Sequence, residues 1–241
     1  MTPALLGAEV VVSCLATLAI GGQNPLIDAS VAAGVKRFIP AEFGMDSANA
    51  RCVQLPVCAP KAATQKHLLE KSMSNPGFTF TAIANGLFLD WGLKMDLILN
   101  LSQHHAILYN GGGVPFSATT LADVATAVLG IIEHQQETAN RLVYVHSALV
   151  TQHKLMQVVK EVDGKDWTTT YKDTEELRRE SLVELAKGTE AIVGSAMLGF
   201  CFCGSMSSAY GCDFSDRLDN ELLGVKELQE GELRTLVASL L

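Results

Sequence analysis

Residues 9–40, EVVVSCLATLAIGGQNPLIDASVAAGVKRFIP, contain a complete strand–helix–strand unit. The first seven form an almost unbroken apolar, β-branched run, the pattern of a strand buried on both faces in a parallel sheet. Asn24 and Pro25 supply an N-cap and first-turn pair for a short helix. Leu26, Ile27, Ser30 and Val31 continue that helix, and Gly34 closes it at the C′ position. Residues 35–39 read as the next strand, ended by Pro40. A crossover of this kind should be right-handed.

The alternation continues outward from that unit. Pro60 starts a helix reaching about residue 73, the turn Asn75-Pro76-Gly77 stops it, and FTFTAIA (residues 78–84) alternates as a strand. A helix is expected over residues 87–100 and a short strand over 106–109. A strong helix over 119–133 carries Leu121, Val124, Val128, Leu129 and Ile132 on one stripe. A strand over 141–146, a helix over 151–162 closed by Gly164, a strand over 167–171 and a charged helix over 174–187 follow. Strands alternating with helices predict an α/β fold with a mostly parallel sheet and helices on both faces. The expected division is a sheet domain over residues 1–150 and a smaller α/β substrate lobe over 151–241, interleaved with parts of 86–120.

The 241 residues suit one or two domains at about 150 residues each. Hydrophobic residues make up 48%, enough for a sizeable core and against disorder. The net charge of −8, with no basic cluster, argues against nucleic acid or an anionic membrane as partner. Six irregularly spaced cysteines in a chain of this size read as reduced thiols in a cytoplasmic protein. The first fifteen residues lack a basic region, and Glu9 breaks their apolar run, which argues against a signal peptide. Residues 191–212 carry no charge. Their four glycines and four serines favour a buried helix and a loop over a pocket rather than a membrane span. Such a neutral, Met-containing wall points to an apolar or aromatic small molecule.

Ligands of open parallel sheets bind beyond the carboxyl ends of the strands. Those ends carry Ser13-Cys14-Leu15, Ala41-Glu42-Phe43 and Asn85-Gly86. Each alone fits an ordinary strand-to-helix turn; three on one edge make a candidate site. Lys61 falls in the first turn of the helix begun by Pro60, where the helix dipole disfavours an ammonium and should draw its pKa toward an acid–base range. Read alone, a lysine there is more often a solvated surface residue. His104-His105 lacks the spacing of a helical metal pair, Cys201-x-Cys203 has no zinc partners, and Gly111–Gly113 reads as a hairpin turn. No metal site is expected. Neither GxGxxG nor a Tyr-x-x-x-Lys pair occurs.

Four segments together carry a resemblance: PLIDASVAAGVKRFIPAEFGMD (25–46), PVCAPKAATQKHLLEK (56–71), NPGFTFTAIANGLFLDWGL (75–93) and DNELLGVKEL (219–228). The chain resembles, over essentially its whole length, the isoflavone-reductase-like, NmrA-like family of atypical short-chain dehydrogenases, particularly its fungal members. That resemblance implies a Rossmann-like fold and NADPH-dependent reduction of a small aromatic or related metabolite. It implies Lys61 as proton donor or base, and cofactor contacts from Ser13, Cys14, Leu15, Ala41, Glu42, Phe43, Asn85 and Gly86. The chain begins where the family's fourth strand begins, without the glycine-rich phosphate loop, which leaves tight NADPH binding in question. Strand 9–15 is then expected as an exposed apolar edge, completed by a longer natural chain, a homodimer or a partner chain. Two alternatives to a reductase stay open: a cofactor-independent isomerase or cyclase, and a non-catalytic regulatory protein.

Overall fold

A computed structural model describes residues 2–241. In chain order, α1 (Thr2–Leu5) leads to β1 (Val10–Val12), α2 (Asn24–Ala32), β2 (Arg37–Ile39), α3 (Ala59–Ser74) and β3 (Thr79–Ala84). Next come β4 (Leu87–Phe88), α4 (Leu89–Lys94), β5 (His105–Tyr109), β6 (Phe116–Thr119), α5 (Leu121–Glu133), β7 (Arg141–Tyr144) and β8 (Ala148–Val150). The chain finishes with α6 (Gln152–Asp163), β9 (Thr168–Lys172), α7 (Thr174–Ala186), α8 (Val193–Ser205), α9 (Asn220–Leu223) and α10 (Glu230–Ala238).

The main sheet has the order β1-β2-β3-β7, and every neighbouring pair is parallel. Its register aligns Val11 with Phe38 and Phe38 with Phe80, so apolar side chains stack across the strands. Helices cover both faces. Ile27 of α2 and Leu68 of α3 pack with Phe38 and Phe80 on one side. Ala127 and Ile131 of α5 pack with Ile39, Ile83 and Val143 on the other. This is the α/β arrangement expected of near-continuous hydrophobic strands. A second small sheet, β4-β6-β8, and the parallel pair β5-β9 carry the remaining core around Leu93, Phe116, Val159 and Phe202.

Arg37 is the largest charged group in the interior, only 1% exposed. Among the described residues, no carboxylate pairs with it. Nε donates to Thr79 Oγ1 at 2.8 Å, Nη1 donates to Thr81 and Thr138 Oγ1, and Nη2 donates to the Gln135 carbonyl. The fork thereby ties β2 and β3 to the turn before β7, while burial pulls the guanidinium pKa below its usual value.

Several boundaries differ from expectation. β1 spans three residues rather than seven, because the chain leaves the sheet after Ser13 donates its backbone N–H to the Ile39 carbonyl. The N-cap of α2 is Gln23 rather than Asn24, and the Gln23 side chain accepts from the Ala41 N–H at 2.8 Å. The helix expected over 87–100 is the two-residue β4 plus the six-residue α4. Asp96 ends it with a φ of 57° and accepts from the Ser102 N–H. Residues 110–112 form a single 3-10 turn between strands of different sheets, not a hairpin.

Candidate active site

The carboxyl ends of β1, β2 and β3 meet at one edge, as parallel neighbours must. Gly44 continues the β2 line by a bridge to Ala84, and its carbonyl accepts from the N–H groups of Asn85 (3.0 Å) and Gly86 (2.9 Å). Gly86 turns at a φ of 64°, and a Cβ there would collide with the Ser117 carbonyl of β6, so only glycine fits this crossing. Ser13, Ala41, Glu42 and Asn85 are all buried, whereas Cys14 and Leu15 are exposed. Three polar atoms on this edge are buried without any partner: Ser13 Oγ, Glu42 Oε1 and Asn85 Oδ1. Unpartnered buried polar atoms are costly, and three together mark a place shaped for something further.

Lys61 sits behind that edge. Cys58 caps α3, Pro60 occupies its first turn, and Lys61 follows directly. It is 6% exposed rather than a solvated surface residue. Its Nζ donates to the Glu42 carbonyl, and a Cβ on Gly44 would lie 3.2 Å from it. Helix α3 and the loop after β2 therefore hold the amine in place.

A cavity of about 600 Å³ opens in front of Lys61. Phe43, Lys61 and Gly86 of the expected site residues line it, whereas Ser13, Cys14, Leu15, Ala41, Glu42 and Asn85 do not. Among the described residues lining it, Lys61 is the only charged one. The opposite wall is α8, whose Gly194, Met197, Leu198, Cys201, Phe202 and Ser205 fall on one helical stripe. Burial pushes the Cys201 thiol up to about 11 even though the Lys61 charge acts in the other direction, so this wall stays neutral. Ser205 is buried, and its Oγ has no partner. Trp91 lines the mouth, whereas Trp167 packs edge-to-face on His104 and does not line the cavity. Sequence reasoning missed Met197, Cys201 and Ser205 as individual residues; the period of α8 was the signal that could have found them. A second depression of about 520 Å³, lined by Leu108, His153 and Tyr171, is open and holds none of the strand-end residues.

Among the described residues, no group of three or more His, Cys, Asp or Glu could hold a metal ion. No helix among them is long and apolar enough to cross a membrane.

A buried lysine thus faces an apolar cavity at the carboxyl edge of a parallel sheet, the place where open α/β sheets bind their ligands. The NmrA-like family model matches residues 1–193, and the chain belongs to that family. It is 35% identical to Oxidoreductase aprR of Aspergillus flavus, over 88% of this chain and 70% of that protein. It is 26% identical to the Isoflavone reductase homolog IRL of Zea mays, over 90% of this chain and 72% of that one. The fold is similar to that of the leucoanthocyanidin reductase–NADPH complex from Vitis vinifera. The TM-score is 0.74 at 17% identity, covering 96% of this chain and 74% of that one.

Proposed function

We propose that the chain reduces a small apolar or aromatic metabolite with NADPH, using Lys61 as the proton donor or base. The observation that carries this reading is a single ammonium on the wall of an otherwise uncharged cavity of about 600 Å³. In such a cavity the ammonium is weakly screened, so it binds and protonates an oxygen that gains negative charge. The Glu42 carbonyl fixes its direction. Met197, Leu198 and Phe202 exclude water and favour a flat apolar substrate.

The residues present fit the nicotinamide end of a dinucleotide. Ser13 Oγ, Glu42 Oε1 and Asn85 Oδ1 lack partners at the strand ends, where the polar atoms of such a group would satisfy them. Cys14, Leu15, Ala41, Phe43 and Gly86 complete that contact set. Bound NADPH would supply the hydride. A second reading is a cofactor-independent isomerase or cyclase using Lys61 alone; a non-catalytic regulatory role would need neither. Residues 1–150 then serve the cofactor side and residues 151–241 the substrate side. Six free cysteines fit a cytoplasmic setting, and secondary metabolism is the expected context. The edge of β1, unpaired among the described residues and beside exposed Leu15 and Leu18, is proposed as a seam for a second copy or a partner chain.

Titration with NADPH, read by Trp91 fluorescence, tests the reductase reading. Saturable quenching is expected in the wild type and absent from a Trp91→Phe variant. No binding by calorimetry would remove the reductase reading.

A further inference from the structure

Behind the Lys61 wall, Cys52 Sγ and Cys58 Sγ lie 3.3 Å apart. Both residues are fully buried. The backbone brings them together: Leu55 N–H donates to the Cys52 carbonyl at 3.0 Å, and Cys58 N–H donates to the Leu55 carbonyl at 2.8 Å. Two successive tight turns thus fold residues 52–58 back on themselves. A disulfide requires about 2.05 Å between sulfurs, so the pair must close by only about 1.3 Å.

The two thiols are not equivalent. Cys58 is the N-cap of the sixteen-residue α3, and Lys61 lies in that helix's first turn. A helix N-terminus and a nearby ammonium both favour a thiolate. The two sulfurs share one hydrogen bond; with Cys58 as its acceptor the bond lowers the Cys58 pKa and raises that of Cys52, while burial, Glu42 and Asp46 oppose the lowering at Cys58. At Cys201, Cys203 and Cys212 burial dominates and pushes the thiols up to about 11, 12 and 11.

We propose that Cys52 and Cys58 form a redox site that hydrogen peroxide closes to a disulfide. The Cys58 thiolate attacks one peroxide oxygen; an S–O bond forms, the O–O bond breaks, and the hydroxide released takes up a proton to leave as water. The Cys52 sulfur then attacks Cys58, forming the S–S bond, and the sulfenic hydroxyl departs as a second water with the Cys52 proton. Two electrons pass from the thiols to the peroxide. The sulfurs have no surface exposure, so only a small neutral oxidant passing through the packing reaches them, and a glutathione-sized disulfide does not. The closure acts on the cavity because Val57 and Lys61, on either side of Cys58, both line it.

Trypsin provides a direct readout, since Arg51 and Lys61 bracket both cysteines in one peptide, residues 52–61. The full reduced chain is treated with hydrogen peroxide, alkylated under denaturing conditions and digested. The expected result is loss of both alkylations on this peptide, a mass two hydrogens below the dithiol, and recovery by dithiothreitol. Cys201, Cys203 and Cys212 should stay alkylated. Two full alkylations on residues 52–61 after treatment would overturn the proposal, as would equal oxidation by glutathione disulfide. A dimedone adduct is expected on Cys58 in Cys52→Ser; an adduct on Cys52 in Cys58→Ser would overturn the assignment of the attacking sulfur. The wild-type peptide map stands whether or not either variant folds. An apolar fluorescent probe should lose affinity for the oxidised cavity, and unchanged affinity would overturn the coupling to it.

Discussion

Replacing Lys61 with methionine separates chemistry from architecture. The side chain is 6% exposed and its hydrogen bond goes to a neutral partner, the Glu42 carbonyl. Methionine keeps the apolar stem up to the position of Cε and removes only the amine. The loss is one charge-assisted hydrogen bond, about 1.5–3 kcal/mol. Relief of the desolvated ammonium, a term of a few kcal/mol, opposes it. The net change in stability should stay within about 2 kcal/mol, a Tm shift below roughly 8 °C for a chain of this size. A lost proton donor, by contrast, lowers turnover by about 10²–10⁴, or roughly 3–5 kcal/mol in the barrier. Lys61→Arg sharpens the test, because a guanidinium keeps the charge but does not release its proton at working pH. Both variants should melt near the wild type and turn over equally slowly, measured as NADPH consumption against an aromatic carbonyl panel. Wild-type turnover in Lys61→Met would remove the lysine from the mechanism. Full activity in Lys61→Arg with none in Lys61→Met would make it an electrostatic anchor and not a proton donor.

Three other outcomes follow from the geometry. Gly86→Ala should destabilise by at least about 1–3 kcal/mol of backbone strain, since a Cβ also strikes the Ser117 carbonyl; an unchanged melting curve would contradict the crossing described. His146 is 1% exposed, with Nδ1 bonded to Ser117 Oγ and Nε2 lying 3.3 Å from Glu227 without a formed hydrogen bond. Burial lowers its pKa from the ordinary 6.5, against the raising influence of Glu227 and Asp213. The unfolded chain then binds a proton that the native state refuses, so stability should fall as pH drops below 6.5. Urea melts across that window should show a shallower slope for His146→Gln, and an identical slope would exclude this histidine. Val12 is 37% exposed at the β1 edge, so Val12→Lys should shift a concentration-dependent dimer toward monomer in light scattering; a wild type monomeric at every dilution would remove the seam.

The parts legible in the sequence are those that local pattern determines. The apolar, β-branched run at residues 9–15 and the alternating run at 78–84 read as strands, and they contain the parallel strands β1 and β3. Thr120 and Thr151 cap α5 and α6 through their side chains, and Gly164 ends α6 in the left-handed region. What local pattern does not carry is pairing between distant short segments. Strands β4, β6 and β8 have two, four and three residues, too few to show a period, and they exist because β6 pairs with the other two. The apolar stretch after Leu87 reads as one long helix. Packing of Gly92 against Ile98 and the left-handed Asp96 fold it back instead.

The same division runs through the site. Pro60-Lys61 marks a helix mouth from two adjacent residues, so the lysine could be singled out early. Its burial could not, because the wall that encloses it comes from residues 194–205, more than one hundred thirty positions away. A lysine at a helix start becomes a chemical group only when a remote apolar face removes water from it. The charge-free composition of α8 is therefore not incidental to the strand-end site. An aspartate on that stripe, at Met197 or Cys201, would pair with Lys61 and lower its ability to stabilise a developing oxyanion in a substrate. In the proposed reduction the neutrality of one helix and the position of one amine act together, and neither is chemically informative without the other.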